Sequence, residues 1–129
     1  MDKLTQPKGA VKALKTMDIK GKPYVMVNER LKHFREHYAG WGLATEIIGG
    51  TENEVTLKAT ITRPTGAVAA TGHALEDRRS SFINKTSHIE NAETSAVGRA
   101  LGNLGIGIDN SVASAEEVEM AIALQNVKE

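Results

Sequence analysis

Residues 54–63 read EVTLKATITR, and this is the stretch that most restricts the fold. Val55, Leu57, Ala59 and Ile61 alternate with Thr56, Lys58, Thr60 and Thr62. At a period of two, one side of an extended strand is apolar and the other polar. A strand of this kind belongs to a sheet with one face on a core and one face toward water. LATEII (residues 43–48) precedes it, with Gly49, Gly50 and Asn53 to make the turn. RPTGA (residues 63–67) follows as a tight hairpin, where Pro64 fixes φ and Gly66 tolerates a positive φ. AVAATGHAL (residues 67–75) is then the third strand of an antiparallel meander.

Helices flank the meander. YVMVNERLKHFREHYAGW (residues 24–41) places Val27, Leu31, Phe34 and Tyr38 on one helical face, and Gly40 stops the helix. Phe34 and Tyr38 are core residues on this reading, and Trp41 packs at the sheet edge. After the meander, residues 76–87 form a polar connection carrying Arg78, Arg79 and Lys85. SHIE matches a capping box, Ser87 reaching forward and Glu90 back, and opens a second helix. SAEE repeats the signal at Ser114 and Glu117 and starts a last helix. The expected fold class is α+β: helix, three-stranded antiparallel β-meander, a helix packed on the sheet, and a C-terminal helix.

Charge sorts along the chain. Lysine and arginine total 16, as do aspartate and glutamate, so the chain is neutral overall. Residues 1–22 nevertheless hold six lysines against two aspartates, and residues 109–129 five acids against one lysine. The expected organisation is a basic mobile arm at 1–22, a core at 23–109 and an acidic helix or tail at 110–129. That pattern suits a polyanion binder whose tail meets a partner, and equally an ordinary solvated surface.

The second helix, SHIENAETSAVGRALGNLGIGID (residues 87–109), carries glycines that each cost about 1 kcal/mol relative to alanine in a helix interior. Its apolar stripe is Ile89, Ala92, Ala96, Val97, Ala100, Leu101 and Leu104. On the other side Ser95, Gly98 and Gly102 form a bare line beside Arg99, a surface that another backbone could approach closely. Three explanations stand open: tight packing inside the monomer, a subunit contact, or a groove for a nucleic-acid strand with Arg99 on a phosphate. The following GNLGIGID is a helix stop and tight loop, with no Lys-Ser/Thr to make it a phosphate loop.

Several pieces taken in order resemble the single-strand annealing proteins of phage recombination. The resemblance is to the Sak-type branch, related to the eukaryotic Rad fifty-two family. They are YVMVNERL leading a helix, Gly40 and Trp41 before the first strand, the polar-faced meander, and ENAETSAVGRALGNLG. The resemblance spans about Tyr24 to Asp109. It implies ATP-independent binding of single-stranded DNA and pairing of complementary strands by a ring or helical filament of subunits. It also implies recombination or repair in a bacterial host cytoplasm, with a replication or recombination protein met through the C-terminal tail. Arg30 matches a basic residue that the family uses on the DNA backbone, and Arg99 the second member of a basic pair whose first position is Gly98 here.

Around those two, Lys58, Arg63, Arg78, Arg79 and Lys85 are the candidate phosphate contacts, although Lys58, Arg63 and Lys85 taken singly read as solvated side chains. Phe82 is the candidate base contact, and His73 shares the polar strand face with Lys58. The other readings are a non-DNA-binding oligomeric adaptor or small-ligand sponge, and an RNA-binding module with the same electrostatics.

An enzyme is not expected. The chain has no cysteine and no serine-histidine-acid order. His33 and His37 share a helix face with Glu36 nearby but lack a third ligand, so neither a metal nor another cofactor is expected. No apolar run reaches the ~20 residues that span a bilayer.

Overall fold

The computed structural model describes residues 14–108 and 111–112. In chain order the elements are β1 (Met17–Ile19), β2 (Lys22–Val25), α1 (Val27–His37), β3 (Gly42–Gly50), β4 (Glu54–Thr62), β5 (Val68–Asp77), α2 (Asn84–Leu104) and β6 (Ser111–Val112). β3, β4 and β5 form the expected antiparallel meander, in that spatial order. The fold class is α+β, with α2 packed on this sheet and α1 packed on α2.

The alternation in β4 decides which face is covered. Val55, Leu57, Ala59 and Ile61 are buried, and together with Ala74 of β5 they meet Ala92, Ala96, Ala100 and Leu101 of α2. The contact is close because its residues are small. A Cβ built on Gly72 of β5 would lie 2.4 Å from the backbone nitrogen of Ala100 and 2.5 Å from the carbonyl oxygen of Ala96. Only glycine lets α2 lie that near the strand. Phe34 of α1 and Tyr38 at its C-terminal cap complete the core as expected, their rings stacked with centroids 5.3 Å apart. Trp41 is partly buried and meets Tyr38 edge-on at 5.0 Å.

Two features differ from the sequence reading. Residues 17–25, most of them assigned to a mobile arm, form the β1–β2 hairpin, with Lys20 and Gly21 both at positive φ in its turn. β6 returns after α2 to pair in parallel with β2, Tyr24 opposite Ser111 and Val25 opposite Val112. Second, α2 begins at Asn84 rather than at the capping box. Ser87 has non-helical backbone angles (φ −125°, ψ 23°) inside the helix, so the box marks a kink that follows one extra turn. The expected C-terminal helix lies outside the described residues, as does most of the acidic tail. Among the described residues no helix is long and apolar enough to cross a membrane.

Candidate nucleic-acid interface

The seven expected phosphate contacts do not line one groove. Arg30 is fully buried. Its Nε donates to the Val25 carbonyl oxygen at 3.3 Å and its Nη1 to that of Ile106, joining the strand before α1 to the loop after α2. Gly107 makes room for it, since a Cβ there would sit 2.9 Å from Arg30 Nη1. Burial also pushes the guanidinium's pKa below its ordinary value. The expected role on a DNA backbone is corrected: this arginine is part of the interior.

The bare strip of α2 is corrected in the same way. Ser95, Gly98 and Gly102 are all buried. A Cβ on Gly98 would meet Val27 Cγ2 of α1 at 2.6 Å. Small residues therefore let the two helices close on each other within the monomer, and no surface remains there for a strand of nucleic acid. Tight packing inside the monomer, against α1, accounts for the glycine.

Arg99 stays at the surface but serves the sheet edge. Its Nη1 donates to the His73 carbonyl oxygen at 3.4 Å, and Asn103, one turn on, donates to that of Thr71 at 2.6 Å. Both carbonyls belong to β5, an edge strand, and covering them blunts an edge that could pair with another chain. Lys58 stands on the polar sheet face between its cross-strand neighbours Glu46 and His73, as the alternation implied. Arg63 lies at the β4–β5 hairpin, its guanidinium carbon 5.8 Å from the centre of the Trp41 ring. The length of β4, roughly 27 Å at 3.4 Å per residue, separates Arg63 from the other end of the sheet.

At that other end the structure brings Arg78, Arg79, Phe82 and Lys85 together. The β5–α2 connection is tied to the β3–β4 turn. Arg78 donates its backbone N–H to the Asn53 carbonyl oxygen at 2.8 Å and its Nη1 to that of Glu52 at 3.2 Å. Arg79 clamps Asp77 through two side-chain hydrogen bonds, Nε to Oδ1 at 3.0 Å and Nη2 to Oδ2 at 2.7 Å. That clamp lowers the Asp77 carboxyl to about 2, so the pair is locally neutral. Lys85, in the first turn of α2, is exposed and makes no ion pair among the described residues.

The residue that organises this end escaped the sequence reading. Asn84 is fully buried. Its Nδ2 lies within hydrogen-bonding distance of Glu76 Oε2 (2.9 Å), Ser80 Oγ (2.7 Å) and the Asp77 carbonyl oxygen (3.3 Å), while its Oδ1 accepts from Asn91 at 2.7 Å. An asparagine in a polar loop carries no sequence signal for such a role, because its partners come from a strand, a turn and the next helix turns.

At this end Arg78 and Lys85 make no ion pair among the described residues, while the N–H groups of Asn84, Lys85 and Ser87 are taken by Ser81, Phe82 and Ile83. One comparison with known proteins places the domain. The model of a family described as Slr1353 N-terminal dsRNA-binding domain-like matches residues 31–104, more than half the chain. The chain belongs to that family. Its match runs from within α1 through the meander to the last residue of α2, inside the longer stretch from Tyr24 to Asp109 that the resemblance to annealing proteins drew on. That resemblance is overturned by the match, and its assignments to phage recombination and ring assembly go with it. No curated protein and no solved structure matches the chain. Among the described residues no group of three or more histidines, cysteines or carboxylates could hold a metal ion; the His33 and His37 rings are tilted by 44° with centroids 4.6 Å apart.

Proposed function

We propose that the chain binds double-stranded RNA through the end of the sheet where Arg78, Phe82 and Lys85 surround the start of α2. The family match over the helix–meander–helix unit carries this reading, since the family's description is of a double-stranded RNA-binding-like domain. Domains of that kind recognise A-form RNA mainly by shape, spanning ~16 base pairs with contacts to two minor grooves and the intervening phosphates. The scarcity of aromatic residues agrees with shape recognition, because a duplex offers no base faces along its length. No catalytic step is part of the proposal.

With two cations at the site that make no ion pair among the described residues, binding is modest and only mildly salt-dependent. The slope of log K against log salt is on the order of −2. A competition assay tests the reading. A labelled RNA duplex is displaced by unlabelled duplex RNA, and much less by duplex DNA, single-stranded RNA or single-stranded DNA of matched length. Equal displacement by single-stranded DNA, or no binding to duplex RNA, sinks it.

A further inference from the structure

We propose that Phe82 stacks on a base at an interruption or end of an RNA duplex, so that the preferred substrate is a duplex with an unpaired nucleotide or free terminal pair. The inference rests on the RNA-binding reading and names the substrate class for the same site. Phe82 is 90% exposed, more than any other large apolar residue described. In sequence it stands between Arg78 and Lys85. Ile83 beside it is half-exposed, and no other apolar side chain lies in the connection between Arg78 and Lys85.

The backbone that carries the ring is fixed. Asn84, two residues on, is held by the hydrogen bonds described above. The Ser81 hydroxyl accepts from the Asn84 N–H at 3.0 Å, and the Phe82 carbonyl oxygen accepts from the Lys85 N–H at 3.3 Å. A ring on a fixed backbone leaves only its own side-chain torsions to be ordered when it meets a partner.

The nature of that partner follows from duplex geometry. Inside an A-form helix every base is covered above and below, and the major groove is too deep and narrow for side chains to read. A phenyl ring therefore finds a base face only at a terminal pair, a bulge or a splayed nucleotide, where stacking is tolerant of sequence. Arg78 and Lys85 would hold the flanking phosphates while the ring takes the base.

The test uses a perfect RNA duplex several times longer than the ~16-base-pair footprint, with both terminal pairs covered by non-nucleotide caps, and the same capped duplex with one central bulged nucleotide. Wild-type protein binds the bulged duplex on the order of ten-fold more tightly. Phe82→Ala binds both at the affinity of the perfect duplex, and Phe82→Trp keeps the preference. Equal binding of both duplexes by the wild type, or an undiminished preference in Phe82→Ala, overturns the inference while leaving duplex binding standing. If Phe82→Ala instead lowers the sedimentation mass of the RNA-free protein and leaves the preference intact, the ring serves a protein contact and the inference fails. A wild type that binds neither RNA defeats the functional reading itself, and this inference with it.

Discussion

Gly98 of α2 sits directly against Val27 of α1, so closely that a Cβ on the glycine would fall 2.6 Å from Val27 Cγ2. Valine is stiff about χ1 and cannot swing aside cheaply. Gly98→Ala is therefore expected to destabilise the protein by about 1–2 kcal/mol, although alanine gains ~1 kcal/mol of helix propensity. In combination with Val27→Ala most of that loss should vanish, a coupling of about 1–2 kcal/mol in a denaturant-melt double-mutant cycle. Additive losses would show that the glycine answers to something other than α1.

Arg30 separates stability from binding. Its replacement by methionine keeps the volume but leaves the Val25 and Ile106 carbonyls without their donor. A loss of about 2–4 kcal/mol is expected in chemical denaturation. At a temperature where the variant is folded, its affinity for duplex RNA should equal the wild type's. A selective loss of affinity in a stable variant would restore Arg30 to the interface.

Asn84 should couple the two properties. Asn84→Ala strips a donor from Glu76, Ser80 and Asp77 and an acceptor from Asn91. The expected loss is about 2–3 kcal/mol. Because the same bonds hold the β5–α2 connection, duplex affinity should also fall several-fold, measured by anisotropy. Asn84→Asp should be worse, since it sets a second carboxylate against Glu76.

Much of this fold was legible in order and type. The alternation in β4 fixed which face of the sheet is buried, and the spacing of Val27, Phe34 and Tyr38 gave the inner side of α1. What periodicity could not show was that α2 has two covered sides, the sheet on one and α1 on the other. The bare strip therefore resembled a surface when it was an interior seam. Arg30 misled for a related reason: an arginine satisfied by distant carbonyls looks the same in sequence as one meant for phosphate. The β1–β2–β6 sheet was missed because its pairing is short and joins residues from opposite ends of the chain. That Arg78, Arg79, Phe82 and Lys85 are neighbours was readable because they are close in sequence, whereas the hydrogen bonds by which Asn84 ties that connection down were not.

His33 is expected to make stability fall in mild acid. It is buried on α1, and desolvation first, then the neighbouring His37, lowers its pKa below 6.5, with Glu36 opposing. The folded state thus binds fewer protons than the unfolded one in this range. The stability contributed by neutral His33 is whole above about pH 6.5 and is lost as pH falls toward the lowered value. Urea midpoints measured from pH 7.5 to 5 (approximate limits set by the unperturbed histidine) should drop for wild type and drop less for His33→Gln. Parallel curves would exclude His33 as the source.

The most direct test of the account is a map of amide chemical-shift changes as duplex RNA is titrated into isotope-labelled protein. The account predicts shifts concentrated in Arg78–Ile89 and the Thr51–Asn53 turn, with the polar sheet face around Lys58 and His73 and the Arg63 hairpin unmoved. Shifts centred on that sheet face or that hairpin, or none at saturating RNA, would contradict it.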